Sequence, residues 1–145
     1  MRIETLRPMT AARLAVIAID ASLRNAAVAL SNRHIGLLVV CDENRMAAGV
    51  VSKSDIVRHL SGVGVAETPV ANLMSRNIVS CSPEDDLYAT WQRMAAEGLQ
   101  NMPVLGTGSK PLGVLDIRDV LKALFEQEEY QERLLCNYVA GIGYQ

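Results

Sequence analysis

Two short segments of this chain carry residue types that could hold a small polar ligand. The first reads Gly49-Val50-Val51-Ser52-Lys53-Ser54-Asp55, the second Gly113-Val114-Leu115-Asp116-Ile117-Arg118-Asp119. A glycine inside a strand lets a ligand or another backbone approach closely. Ser52 falls where an apolar strand gives way to a helix, and helix starts present free N–H groups to anions. Asp55, one turn further on, has two carboxylate oxygens. These can accept hydrogen bonds from both cis hydroxyls of a ribose, as the acidic residue of dinucleotide-binding folds does. An apolar slot between strands would take the base. The same residues also have a purely structural reading. Ser-x-x-Asp ahead of an apolar run is a capping box with Ser52 as N-cap, and Asp116 is an equally good N-cap; each contributes about 1 kcal/mol.

The two segments lie 64 positions apart, and the match continues upstream: Leu23 falls on Leu87, Leu30 on Met94, and Leu38-Val39-Val40 on Met102-Pro103-Val104. The chain is an internal duplication, which decides the architecture before any single element does. Met9-Thr10 and Met74-Ser75 open the units. Repeat one covers residues 9–60 and repeat two 74–124, with 61–73, including Gly62-Val63-Gly64, as linker and 125–145 as tail. Only the opening strands break the register: Val16-Ile17-Ala18-Ile19 aligns with Ile78-Val79-Ser80-Cys81 after a shift of two.

Periodicity supplies the elements that must position these residues. Ala21–Asn32 reads as a helix, Leu37–Cys41 and Ala47–Val51 as strands, and Lys53–Leu60 as a helix. In the second unit a helix starts at Ser82-Pro83 with Leu87, Trp91 and Met94 on one face. Strands Asn101–Leu105 and Leu112–Leu115 and a helix from Ile117 follow. Each unit is strand–helix–strand–strand–helix, an α/β (α+β) fold with aliphatic strands covered by helices. Each repeat alone is marginal in size, so the halves are expected to pack on each other.

Composition narrows the function. The chain has 145 residues and a formal net charge of −2, which gives no basic footprint for nucleic acid. No apolar run approaches the ~20 residues of a membrane span, and no secretory signal is expected. Cys41, Cys81 and Cys136 are isolated, as in a cytoplasmic protein with free thiols. No histidine–cysteine spacing indicates a metal, and no nucleophile–base pattern indicates catalysis. His34 reads as a cleft or a surface residue; His59, on the helix after Asp55, reads as solvated.

The paired units resemble cystathionine-β-synthase (CBS) domains, and the chain resembles a stand-alone CBS pair, or Bateman module. The resemblance rests on the pattern Gly-apolar-x-(Ser/Thr)-x-x-Asp and its second copy, in which Asp116 takes the hydroxyl position, each after a segment such as Leu37-Leu38-Val39-Val40 or Asn101-Met102-Pro103-Val104. It implies a regulatory module, not an enzyme, with two repeats packed in pseudo-twofold symmetry around two clefts. The implied ligands contain adenosine: AMP, ADP, ATP, S-adenosylmethionine or NAD, with no cofactor required. The resemblance makes Asp55 and Asp119 the ribose residues, Ser52 the hydroxyl contact, and Lys53, Asp116 and Arg118 neighbours of ribose and phosphate. Val16, Ile17, Ala18, Leu37, Leu38, Ile78, Val79, Met102 and Pro103 would form the adenine slots. It also implies a homodimer and an effector protein on another chain. The other reading is an interaction or dimerisation module with degenerate clefts.

The clefts are not expected to be equal. Repeat one has Ser52 and Ser54 where repeat two has Asp116 and Arg118. A carboxylate ~4 Å from a phosphate charge costs about 4 kcal/mol at an effective dielectric near 20, roughly a thousandfold in affinity. Arg118 could offset part of this by pairing with Asp116 or with phosphate. The Asp55 cleft is therefore expected to be the better nucleotide site. Beyond the duplication, Phe125–Tyr138 continues as helix up to Gly141-Ile142-Gly143. Its apolar patch of Leu134, Leu135, Tyr138 and Val139 either packs on its own domain or meets a partner.

Overall fold

The computed structural model describes residues 1–62 and 64–143, with side-chain surroundings up to residue 137. Val63 of the expected linker and the side chains of Tyr138 and Val139 lie outside the described residues. In the first half, strands β1 (Val16–Ala18), β2 (Leu37–Cys41) and β3 (Ala47–Ser52) form one sheet in that order. The first pair is parallel and the second antiparallel. In the second half, β4 (Asn101–Leu105) and β5 (Pro111–Asp116) form an antiparallel hairpin. Helices α1 (Arg7–Ala12), α2 (Leu23–Leu30), α3 (Lys53–Ser61), α4 (Leu87–Glu97) and α5 (Ile117–Gly143) complete the fold.

Alternation along the strands sorts the core into three layers. Leu38, Val40 and Val51 turn to the helices of the first half, beside Leu23, Ala26, Leu30 and Ile56. Met102, Val104 and Leu115 do the same in the second half, against Leu87, Met94 and Val120. The alternate residues Leu37, Val39 and Cys41 face the other half and pack with Val114. Both strand faces are thus buried, which is why β2 reads as an unbroken apolar run.

Three features differ from the sequence expectation. First, helix α4 begins at Leu87, not at Ser82-Pro83. Ser82 to Asp85 closes a turn, and the Asp86 carboxylate accepts from the Ala89 N–H as N-cap. Second, no shift separates the opening strands. Ile17 pairs with Val40, and Cys81 pairs with Val104. Since Val40 and Val104 correspond, Ile17 corresponds to Cys81, and the 64-residue offset runs through. The second opening strand is also cut down to that single bridge. In the first half Val39 N–H donates to the Ala15 carbonyl at 3.0 Å; its counterpart, Pro103, has no N–H to give. Third, His59 is half-buried, its ring lying against Gly64.

Each half is completed by a segment from the other side of the duplication. Val70, in the stretch expected as linker, is fully buried in the first core, and Met74 packs there too. Ser75 exchanges backbone hydrogen bonds with Val50. Reciprocally, Ile3 and Leu6 are buried in the second core, and Thr10 sits on Gly113.

Candidate functional site

The end of β3 and the start of α3 are held by a capping box. Ser52 Oγ accepts from the Asp55 N–H at 3.3 Å, and Asp55 Oδ2 accepts from the Ser52 N–H at 2.9 Å. The structural reading of these residues therefore holds. Among the described residues it leaves Asp55 Oδ1 facing only Arg58 at 3.4 Å, on a side chain that is 77 % exposed. The glycine three residues before β3 ends serves a backbone, not a ligand: a Cβ on Gly49 would lie 2.8 Å from the Ser75 carbonyl oxygen.

Above this helix start opens a cleft of about 880 Å³ between the halves. The first half contributes Ser52, Lys53, Ser54 and Asp55, with Leu37 and Val50 as apolar wall. From the second half come Asn77, Val79 and Pro103, and the residues Asp116, Ile117 and Arg118 at the start of α5. Arg33 joins Lys53 and Arg118, so three cationic side chains border one cavity. Asn101 also lines it, and its Oδ1 is buried with no hydrogen-bond partner among the described residues. Apolar walls, the carboxylates of Asp55 and Asp116 and several cations together suit a base, a sugar and an anionic group.

The expected site residues divide between this cleft and elsewhere. Ser52, Lys53, Asp55, Asp116, Arg118, Leu37, Val79 and Pro103 are brought together. Leu38 and Met102 are fully buried on the helix side of their strands, because neighbouring strand residues face opposite ways. Ile78 is half-buried and does not line the cleft, while Val16 and Ala18 are exposed and Ile17 packs on the first core. The corrected register explains the last group: the counterpart of Val79 is Ala15, not a residue of Val16–Ala18. Arg33, Asn77 and Asn101 were not anticipated. Nothing in their local pattern marks them, since they reach the cleft only through the packing of the two halves.

The Asp119 side is built differently. Arg13 Nε donates to Asp119 Oδ2 at 2.6 Å and Nη2 to Oδ1 at 3.2 Å. Arg13 Nη1 lies 3.6 Å from Asp116 Oδ2 and donates to the His34 carbonyl at 2.9 Å. Asp116 in turn holds Arg118 through two bonds of 3.0 and 2.9 Å and accepts from the Arg118 N–H. Arg118 thus pairs with the carboxylate that replaced the serine. Burial pushes the Asp116 carboxyl up, but the Arg118 hydrogen bonds and the charges of Arg13 and Arg118 outweigh it and leave the group below its ordinary 3.8.

That direction fixes a pH dependence. A carboxyl whose folded value is depressed contributes stability in full above the unfolded value, lost as pH falls through the folded one. Melting curves between pH ~6 and ~3 should fall more steeply for the native chain than for Asp116→Asn in their acid limb. Parallel curves would show that Asp116 carries no such linkage.

Comparison with known proteins is consistent with this construction. Arabinose 5-phosphate isomerase GutQ of Salmonella typhi is 28% identical over 102 residues, which are 70% of this chain and 32% of that protein. The chain thus spans about a third of the length of the isomerase it matches. A CBS domain protein of Pyrobaculum aerophilum, solved in complex with AMP, superposes with a TM-score of 0.72 at 20% identity, covering 82% of this chain and 89% of that one. The CBS domain pair of protein MJ0100, in complex with 5′-methylthioadenosine and S-adenosyl-L-methionine, gives 0.73 at 16% identity, covering 88% and 98%. No helix among the described residues is long and apolar enough to cross a membrane. The model of the CBS domain matches twice, over residues 6–62 and 70–126, so the duplication first visible as one heptad written twice makes this chain a member of the CBS domain family, two copies in tandem.

Proposed function

We propose that the chain is a regulatory module that senses an adenosine-containing ligand in the Asp55 cleft and signals by a change of shape or association. The observation that carries this reading is the gathering of Asp55, an apolar wall and three cations around one cavity of about 880 Å³. Asp55 Oδ1 takes the ribose hydroxyls, Leu37, Val50, Val79 and Pro103 flank the base, and Ser52, Lys53, Arg33 and Arg118 face the phosphate. The relatives that hold AMP, 5′-methylthioadenosine and S-adenosylmethionine support the ligand class. The cations favour AMP, ADP or ATP over neutral 5′-methylthioadenosine. We place the module in the cytoplasm, as a homodimer acting on an effector protein, and assign it no catalysis.

Thermal shift and calorimetry with AMP, ATP, NAD, S-adenosylmethionine and 5′-methylthioadenosine test this. A ligand at about a hundred times its Kd should stabilise the protein by about 2.7 kcal/mol. AMP and ATP should raise Tm, and less so as salt screens the cations. A flat response to all five compounds would sink the sensor reading. It would favour an interaction module, for which Phe125, Leu134 and Leu135, at 67, 50 and 64 % exposure along α5, offer an uncovered apolar surface.

A further inference from the structure

The two halves share one sequence register, yet one position treats their aspartates in opposite ways. Asn77 lines the Asp55 cleft. Its counterpart at the 64-residue offset is Arg13. Asn77 is neutral and short and leaves Asp55 with a carboxylate oxygen available. Arg13 grips both oxygens of Asp119, at 2.6 and 3.2 Å, and reaches Asp116 at 3.6 Å. Its remaining nitrogen is anchored on the His34 carbonyl at 2.9 Å.

This ion pair differs from those on the surface. The Arg13 side chain is 17 % exposed and that of Asp119 15 %, whereas Arg58, the partner of Asp55, is 77 % exposed. A bidentate guanidinium–carboxylate pair is geometrically matched and strong, and partial burial removes the water screening that makes exposed pairs weak. Arg13 holds both carboxylate oxygens, and a sugar diol needs at least one of them. It would have to displace a charged, three-point partner and leave that cation without its carboxylate.

We infer that Arg13 is an intramolecular occupant of the ribose position at Asp119, closing that carboxylate to a sugar diol and making the chain a single-site binder. The inference deepens the adenosine reading and rests on it for the chemistry of the excluded ligand. It makes Arg13 a specificity determinant acting by exclusion. It also makes the second site latent, since all that separates it from the first at this position is one side chain.

The test is a calorimetric titration of the whole 145-residue chain with AMP, in the native sequence, Arg13→Asn and Arg13→Asn/Asp119→Ala. Arg13→Asn copies the residue of the first half, and Arg13→Gln serves as a second variant that keeps more of the side-chain volume. Expected stoichiometries are one AMP per chain for the native protein, two for Arg13→Asn, and one again when Asp119 is also removed. Retention of the first site in each variant reports that it is folded. Two sites in the native chain, one site in both Arg13 variants, or a second site that survives Asp119→Ala would each overturn the inference. A native chain that binds no AMP while Arg13→Asn gains one Asp119-dependent site would overturn the Asp55 reading and uphold the occupant. No binding in any variant would overturn both.

Discussion

Asp55→Ala is expected to lower affinity for AMP by at least about a hundredfold. Hydrogen bonds to a charged group contribute about 1.5–3 kcal/mol each. Two ribose hydroxyls on one carboxylate therefore amount to about 3 kcal/mol or more, roughly two decades in Kd. The same carboxylate closes the α3 capping box through Ser52, so the variant also loses about 1 kcal/mol of stability. The two losses are separable. Binding measured by calorimetry reports the first and melting without ligand the second, and Ser52→Ala should reproduce the second with a much smaller effect on binding. If Asp119→Ala abolishes binding while Asp55→Ala leaves it intact, the assignment of the clefts is reversed.

The largest purely structural effect is expected at Gly113. A Cβ there would lie 2.8 Å from the Thr10 carbonyl carbon, and equally close to the Thr10 Cβ and Oγ1. Thr10 is 4 % exposed, and backbone has nowhere to retreat. Overpacking of a filled interior costs about 1–3 kcal/mol, and Gly113→Val belongs at or above the top of that range. For a chain of this size each kcal/mol moves Tm by about 2–4 °C, so a fall of about 6–12 °C is expected. Gly36→Ala is the control. Its nearest neighbour is the Asn101 side-chain amide, 2.6 Å from the added carbon, and a side-chain end can rotate away. Equal losses at the two glycines, measured by calorimetric melting, would refute the distinction between backbone and side-chain obstruction.

Much of the fold is legible in the chain because its signals are local. The strands at Leu37–Cys41 and Asn101–Leu105 are short apolar runs, and the glycine-to-aspartate segments fix where strand passes into helix. The opening strands are harder. Ile78-Val79 looks like Val16-Ile17 in residue type, which suggests a two-residue shift. The ladder partners show none. Composition could not reveal this, because the register is set by which residues pair across the sheet, Ile17 with Val40 and Cys81 with Val104. The start of α4 was equally ambiguous: Ser82-Pro83 has the chemistry of a helix start, but so does Asp86, and the latter caps.

The candidate site is half legible for a similar reason. Ser52, Asp55, Asp116 and Arg118 announce themselves by spacing. Arg13, Arg33 and Asn77 do not, since a pair such as Arg13–Asp119 joins residues 106 positions apart. The expectation that Asp116 and Arg118 would pair was within reach because they are neighbours in sequence. A second cation arriving on Asp116 from the far end of the chain was not.

The reciprocal seating of Thr10 on the second half and of Ser75 on the first has a consequence for how the polypeptide acquires its structure. Ile3 and Leu6 are synthesised well before the core that covers them, which includes Leu115 and Val120. They stay uncovered until nearly the whole duplicated region has been synthesised. Synthesis from the N-terminus normally lets early segments fold early; here a segment made ahead of the strands of both repeats is among the last to find its place. The halves are therefore expected to mature together. Cutting the gene at the repeat boundary would produce two fragments, each missing a piece of its own interior.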